Sequence, residues 1–273
     1  MAKRVITAII GLPVVIFIVI FGGWPLALMC LVASLMGLRE LYRAFSKVDK
    51  AVHVIGYIAA IGYFIAIFVF GACQWLFIAL ALFIVFAQAC LVLFFNQLEL
   101  EDVIVTIYGL LYVPFLLGFI LLVREFALGQ YFVWLIFTAA FGCDTFAYLT
   151  GVTIGRRKLV GSPSPSKSVE GLIGGVLGAA LVGFVYGFFI MHFRDPGVEG
   201  FILICVIVSL IGAIFCIFGD LAASAIKRRK DIKDFSSLLP GHGGVMDRVD
   251  GVLFVAPVVY LAVYVMYHAG IIA

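Results

Sequence analysis

The chain has 273 residues, of which 65% are hydrophobic and only 12% are charged, and its formal net charge is +3. Its mean hydropathy of +1.25 lies far outside the range of soluble domains, in which about half of the residues are apolar. This composition excludes a soluble globular protein. We expect no nucleic-acid partner.

Apolar runs recur along the whole chain, and each is long enough to cross a hydrocarbon core of about 30 Å as a helix. Because lipid offers backbone polar groups no partner, these runs must satisfy their hydrogen bonds within helices. We therefore predict an all-α fold, a polytopic integral membrane bundle of about nine transmembrane helices. The predicted spans are 5–22, 24–44, 52–71, 74–95, 103–123, 131–150, 169–192, 200–224 and 251–271.

The chain divides into two parts by the placing of its motifs. We predict that residues 1–125 form a scaffold of transmembrane helices, and residues 126–273 add further helices together with the candidate catalytic motifs and cytoplasmic loops.

Positive charge is distributed unevenly between the loops. With the N-terminus in the cytoplasm, all but two of the 18 Lys and Arg residues fall on the cytoplasmic side, as the positive-inside rule expects. The exceptions are Arg124 and Arg194. We therefore predict a cytoplasmic N-terminus and a C-terminus outside. The cytoplasmic basic residues are Lys3, Arg4, Arg39, Arg43, Lys47, Lys50, Arg156, Arg157, Lys158, Lys167, Lys227, Arg228, Arg229, Lys230, Lys233 and Arg248.

The polar stretch from Ser224 to Asp250 holds six of the 18 Lys and Arg residues in 27 positions. Such a concentration of charge in a very apolar chain indicates that the chemistry of the protein lies here. As an alternative, a basic run anchors a helix to anionic lipid headgroups. That alternative suffices for Arg229 and Lys230, but it leaves the Asp residues of the stretch unexplained.

Two carboxylates lie within apolar runs. Asp144 stands in the sixth run, and Asp220 stands toward the cytoplasmic end of the eighth. A carboxylate at membrane depth costs about 2.5–3.5 kcal/mol on insertion scales, so it needs a partner or a wet cavity. Metal binding or a polar substrate pathway would supply that need. An interhelical ion pair with a basic loop residue is the structural alternative.

The spacing of the polar residues indicates a site for a metal and phosphate. If the eighth helix continues past Asp220, then Asp220, Ser224 and Lys227 share one face, and a helix over Asp247 and Asp250 would present both to one side. Carboxylate and hydroxyl oxygens are the ligands that Mg²⁺ prefers. The phosphate-binding residues predicted beside them are Lys227, Arg228 and Lys233.

Two loops offer backbone donors to an anion. The Gly-rich turn at residues 240–244 frees the backbone for a close approach to a ligand, and its successive N–H groups can hold an anion; a flexible connection to the ninth span is the alternative. In the loop at residues 161–168, Ser166 or Ser168 can cap the next helix, with Glu170 in its first turn and Lys167 beside an anion at that end.

These motifs resemble the signature of the phosphatidate cytidylyltransferase family, whose members are also called CDP-diacylglycerol synthases. Residues 164–171, the segment around Asp144 and the tripeptide at 219–221 resemble further motifs of that family. The signature residues are Ser224-x-Ile226-Lys227-Arg228, then Lys233-Asp234, then Leu239-Pro240-x-His242-Gly243-Gly244-Val245-x-Asp247-Arg248-Val249-Asp250.

The resemblance implies that CTP and phosphatidic acid react to give CDP-diacylglycerol and pyrophosphate, with Mg²⁺. A second, monovalent cation such as K⁺ is left open. The resemblance implies metal ligands at Asp144, Asp220, Asp247 and Asp250. The implied catalytic residues are Asp220, Ser224, Lys227, Arg228, Lys233, Asp247 and Arg248. The implied substrate-binding residues are Ser166, Lys167, Ser168, His242, Gly243 and Gly244.

The same resemblance implies a multi-pass protein of the inner, cytoplasmic membrane with its active site facing the cytoplasm. Membrane lipids would be its surroundings, and a homodimer is left open. Two other functions also remain open. A transporter or channel would predict inverted repeats with broken apolar segments, which the sequence lacks, and a CDP-lipid phosphotransferase would carry a D-G-x-x-A-R pattern, which is also lacking.

Overall fold

The structure is a computed structural model that describes residues 2–45, 51–238 and 243–272, with the backbone alone for residues 2–10, 12 and 51. Within these residues it is all-α, and its only β-type pairing in the described helices and loops is an isolated bridge between Lys158 and Ser168. The helices are α1 Ala2–Phe21, α2 Gly23–Phe45, α3 Ala51–Phe70, α4 Gln74–Leu93, α5 Leu100–Tyr112, α6 Pro114–Glu125, α7 Gly129–Thr153, α8 Val169–Phe193, α9 Phe201–Arg229 and α10 Met246–His268.

The described residues contain 8 helices that are long and apolar enough to cross a membrane, when α5 and α6 are taken as one span. They correspond to the second to ninth predicted spans. Helix α1 corresponds to the first, and half of its side chains lie outside the described residues. Large apolar side chains remain exposed along these helices, as expected where lipid covers the surface. The prediction of an all-α integral membrane bundle is confirmed.

The fifth predicted span is interrupted. Residues 103–123 read as one apolar run, but the helix stops at Tyr112 and restarts at Pro114, with Val113 between them. Proline has no N–H to donate, and its ring collides with the preceding turn of a helix. The helix is therefore interrupted at Val113, and α5 and α6 form two segments of one span.

Two helices extend beyond the ends predicted for them. The helix predicted over residues 200–224 extends to Arg229, so it continues past Asp220 by more than two turns. The last helix begins at Met246 instead of residue 251, and it therefore includes both Asp247 and Asp250. Both carboxylates thus stand in the first turns of a helix, at the spacing that the sequence predicted for one face.

By its contacts the chain forms two compact units, Met1–Leu122 with Lys230–Arg248, and Val123–Arg229 with Val249–Ala273. The predicted functional division at residue 125 stays a prediction. The structure adds that part of the polar stretch belongs to the same compact unit as the N-terminal helices. There, Lys230 forms an ion pair with Glu101 at 3.0 Å and lies over the ring of Phe45.

In the first unit, an aromatic cluster joins α2, α3 and α5. The Tyr42 ring stacks on His53 with centroids 4.4 Å apart, and its hydroxyl donates to the Thr106 carbonyl at 3.3 Å. Gly56 and Gly109 lie directly against the Tyr42 ring, where a Cβ atom would meet it. The cluster fixes the C-terminal half of α2, which becomes important for the site.

In the second unit, helix α8 packs closely against α7 and α9 through a series of small residues. Its buried residues are Gly171, Gly175, Gly178, Ala179, Gly183 and Gly187. A Cβ atom at Gly183 would lie 2.7 Å from the Cys205 carbonyl oxygen of α9. Small residues permit this approach, on which helix association in lipid depends because burial of apolar surface contributes little there.

Replacing Gly183 by Leu should therefore separate α8 from α9. We expect a loss of about 3 kcal/mol, at the upper end for overpacked sites, because a backbone carbonyl cannot move aside as a side chain can. The measurement is the thermal unfolding midpoint in detergent. Val185→Leu, at an exposed position on the same helix, is the control and should leave the midpoint unchanged; equal midpoints for both variants would contradict the packing described here.

Candidate active site

The loop between α7 and α8 is folded by its own hydrogen bonds. The Glu170 carboxylate accepts the backbone N–H groups of Arg156 and Arg157 at 3.0–3.2 Å. Across the loop, the Leu159 N–H donates to the Lys167 carbonyl, and the Val169 N–H donates to the Arg157 carbonyl. These bonds fix the backbone on both sides of Lys167 and so determine where its side chain extends.

Ser168 caps α8. Its hydroxyl oxygen accepts the N–H of Gly171 at 3.2 Å, and the residue is buried. The predicted cap is therefore confirmed for Ser168, whereas the Ser166 hydroxyl lies near that of Ser164 in the exposed loop. Gly151 and Gly155 lie close to the Ser168 hydroxyl, so the cap also ties the start of α8 to the end of α7.

Replacing Ser168 by Ala should remove this cap and cost about 1 kcal/mol. We expect a lower thermal midpoint and faster amide hydrogen exchange at Gly171. Ser166→Ala is the matched control, since it removes an exposed hydroxyl two residues earlier, in the loop, and should change neither quantity. If the two variants behave alike, the cap does not stabilise the helix.

An ion pair joins this loop to α9. The Lys167 Nζ atom donates to the Asp220 Oδ2 atom, and both side chains are about a quarter exposed, at 27% and 25%. The ion pair with a basic loop residue, which the sequence left open for the carboxylates in apolar runs, is thus the arrangement found for Asp220. It brings together one residue predicted to bind phosphate and one predicted to bind a metal.

Beside this pair lies a cavity of about 390 Å³, a size typical of small-molecule sites. Its walls differ in character. The apolar side chains of Ala147, Tyr148, Val152 and Leu172 come from α7 and α8. The polar lining residues are Asp144, Lys158, Ser166, Lys167 and Ser168. The three substrate-binding residues predicted in the loop at 161–168 therefore line one cavity together with Asp144.

Asp144 also has a defined relation to α9. Its Oδ1 atom lies 3.9 Å from the Sγ atom of Cys216, which stands one helical turn before Asp220. Asp144 therefore lies beside the face of α9 that carries Cys216 and, one turn later, Asp220. The helix that follows contributes Asp250, which is buried and accepts the Gly251 N–H at 2.8 Å. Its carbonyl lies against Gly219, where a Cβ atom would be 2.4 Å away.

In the first unit, the Asp247 carboxylate links Phe235 to Gly244. Its Oδ2 atom accepts the N–H groups of Phe235 and Gly244, each at 3.0 Å. Gly243 lies beside the same carboxylate with a φ of +82°, a conformation that favours glycine. The N–H of Gly244, which the sequence assigned to an anionic ligand, donates here to a carboxylate of the protein itself.

Sequence reasoning missed Glu40, near the end of α2. Its buried carboxylate accepts three hydrogen bonds, from the Ser236 hydroxyl at 2.6 Å and from the N–H groups of Val245 and Met246 at 2.9 and 2.7 Å. Nothing local marks it, because Glu40 stands among basic residues at the end of an apolar run. Its partners lie about two hundred positions later in the chain.

The remaining predicted site residues are placed but not tested. Ser224 and Lys227 are half-buried on α9, and the more exposed ones are Arg228, Lys233 and Arg248. His242 lies outside the described residues. Their roles stay predictions.

A model of the cytidylyltransferase family matches residues 2–266. The chain belongs to this family. The family predicted from the signature is therefore confirmed, over almost the whole chain.

Curated relatives in this family carry the name phosphatidate cytidylyltransferase. The protein of Thermotoga maritima is 40% identical over 154 residues, which are 56% of each chain. That of Staphylococcus aureus is 32% identical over 262 residues, which are 94% of this chain and 96% of the relative. That of Staphylococcus saprophyticus is 31% identical over 264 residues, with the same coverage.

The predicted Mg²⁺ must be compared with the donors at hand. Among the residues that the structure describes, no three His, Cys, Asp or Glu side chains are gathered as a metal site. The carboxylates of Asp144 and Asp220 are the type of ligand that a hard cation binds. The Lys167 ammonium already contacts the Asp220 carboxylate. The Mg²⁺ site therefore stays a prediction, as do the ligand roles of Asp247 and Asp250.

Proposed function

We propose that this member of the cytidylyltransferase family transfers the cytidylyl group of CTP to phosphatidic acid, giving CDP-diacylglycerol and pyrophosphate. The observation that carries the proposal is the Lys167–Asp220 pair beside a cavity that is apolar on its helical side and polar on its loop side. Phosphatidic acid likewise has an apolar part, its acyl chains, and a polar part, its phosphate group. Relatives aligned over 94% of the chain bear the name of this activity.

The reaction needs no covalent intermediate with the protein. A phosphate oxygen of phosphatidic acid would attack the α-phosphorus of CTP, forming one P–O bond, while the bond to the β-phosphate oxygen breaks and pyrophosphate leaves. Catalysis of such a transfer consists mostly of positioning and charge neutralisation. Lys167 and Lys158 line the cavity and would neutralise phosphate oxygens, with bidentate support from the predicted Arg228 and Arg248.

Asp144 and Asp220 are the residues that would hold Mg²⁺, with Asp247 and Asp250 as the further predicted ligands. When bound, Mg²⁺ would supply positive charge to the phosphate oxygens. The folded loop at residues 156–170 would hold the Lys167 ammonium at the Asp220 carboxylate and exclude water from the loop side of the cavity. The proposal also includes a second, monovalent cation such as K⁺, and a homodimer.

The assay that tests the function uses purified full-length protein in detergent with phosphatidic acid, labelled CTP and Mg²⁺. We expect labelled CDP-diacylglycerol in the lipid phase and an equal amount of pyrophosphate in the aqueous phase. Protein with Asp220→Ala gives the background. Product no higher than that background would contradict the proposed activity.

We also propose that the protein lies in the inner membrane with its active site facing the cytoplasm. The support is the distribution of Lys and Arg between the loops, which sets orientation in membrane proteins. A reporter enzyme active only outside the cytoplasm, fused to the C-terminus, is expected to be active. Activity of the same reporter at the N-terminus instead would reverse the proposed orientation.

A further inference from the structure

Glu40 binds the polar segment of the first unit at Ser236, Val245 and Met246, next to the Gly244 N–H that Asp247 accepts. Its side chain is 4% exposed, yet its partners among the described residues include no basic side chain. Burial of a charge without hydrogen bonds is very unfavourable, and here three donors offset it. Two of them are successive backbone N–H groups at the start of α10, where a negative charge is also favoured by the helix dipole.

The two carboxylates together account for three consecutive backbone donors. The N–H of Gly244 donates to Asp247, and the next two, of Val245 and Met246, donate to Glu40. No donor of this row is left for a phosphate. The internal acids thus take the donors of Gly244, where the Gly-rich turn ends, and of the two residues after it, which could otherwise hold an anion.

The contact also explains one glycine of the signature. A Cβ atom at Gly244 would lie 2.5 Å from the Glu40 Oε2 atom, so any side chain at that position would push the carboxylate away. Gly37, one turn before Glu40 on α2, lies near Met246 and Val113 in the same way. The end of α2 and the start of α10 are therefore built to fit each other at the carboxylate.

We infer that Glu40 is a positioning residue for cytidylyl transfer. It fixes Ser236 and the first residues of α10, and through them it sets the direction of the Asp247 carboxylate. This inference rests on the proposed function, and Glu40 itself contacts no substrate in it. Its effect passes through the backbone of Gly244–Met246 and the hydroxyl of Ser236.

The variant that tests this role is Glu40→Gln. The Gln amide keeps the size of the side chain, but its NH₂ group must face a backbone N–H donor that the carboxylate accepted. We expect kcat to fall by about 10- to 100-fold, as when groups supporting catalytic ligands are removed, with KM for CTP changed less than kcat. Arg39→Gln is the matched control, because it removes a charge at the adjacent exposed position and should leave kcat unchanged.

Amide hydrogen exchange separates positioning from general stability. In Glu40→Gln we expect faster exchange at Gly244, Val245 and Met246, with unchanged exchange at Gly171 in the other unit. Ser236→Ala, which removes one of the three bonds, should give a smaller loss of kcat. A fall in activity no larger than the fall in folded protein would reduce Glu40 to a stabilising residue.

The failure of the inference can be told from the failure of the proposed function. If wild-type protein forms CDP-diacylglycerol and Glu40→Gln forms it equally fast although the amides exchange faster, the inference is overturned and the function stands. If wild-type protein forms no product from CTP and phosphatidic acid, the proposed function is overturned, and a positioning role in it falls as well.

Discussion

Replacing Asp220 by Asn is expected to lower kcat by about 10³-fold, a loss comparable to that of a single group that stabilises charge in a transition state. The substitution keeps the shape and removes the negative charge. Lys167 would then lose its partner, and the predicted metal would lose a ligand. The measurement is the rate of CDP-diacylglycerol formation at saturating CTP. Asp195→Asn is the control, because Asp195 lies at a positive φ that Asn also adopts readily.

A double-mutant cycle with Lys167→Met shows what the ion pair contributes. If the pair only stabilises the fold, the double variant should regain both the thermal midpoint and the activity that Asp220→Asn loses. We expect a different result. The midpoint should recover, since no charge is left unpaired. Activity should stay as low as in the poorer single variant, because the Lys167 ammonium is proposed to bind a substrate phosphate and the Asp220 carboxylate to hold the metal.

The membrane architecture was accessible from the sequence because hydropathy is a local property. Each apolar run of sufficient length forms its own helix and satisfies its own backbone, so spans could be placed without knowledge of their neighbours. The Ser168 cap was accessible for the same reason, since it involves residues three positions apart. The interruption at Pro114 was also a local signal, but the continuous hydropathy of residues 103–123 concealed it.

The details of the site were less accessible, because they depend on contacts between distant parts of the chain. Asp220 and Lys167 were both predicted to belong to the site, but they were given to different ligands, a metal and a phosphate. The structure pairs the two side chains with each other, which is the arrangement that the sequence kept only as the alternative to metal binding. Sequence patterns alone could not decide between pairing and ligand binding.

Glu40 was missed because its role is defined only by its distant partners. In the sequence it is one acid among the basic residues that follow an apolar run, a context typical of a solvated helix end. The Gly-rich turn, in contrast, was noticed and interpreted as a cradle for a ligand anion. Both observations belong together, since Asp247 accepts the Gly244 N–H at the end of this turn and Glu40 accepts the next two, of Val245 and Met246.

Asp247→Asn tests whether Asp247 takes part in the reaction in addition to holding the segment between Phe235 and Gly244. In the structure one oxygen, Oδ2, accepts both backbone N–H groups. The Asn side chain retains one such oxygen, so the segment should keep its conformation while the charge is lost. We expect kcat to fall by about 100-fold and half-maximal activity to require about tenfold more Mg²⁺, as for the loss of a group that supports a metal.

The control for this variant is Asp231→Asn, which removes the same charge from an exposed position of the same unit at a φ of 54°. Its Mg²⁺ dependence should match that of wild type, because a general change in surface charge is all that it introduces. Hydrogen exchange at Phe235 and Gly244 should be equal in the Asp247→Asn and wild-type proteins if the segment is intact. Activity retained at an unchanged Mg²⁺ requirement would then assign Asp247 to the conformation of the segment alone, and the predicted metal would have to be held without it.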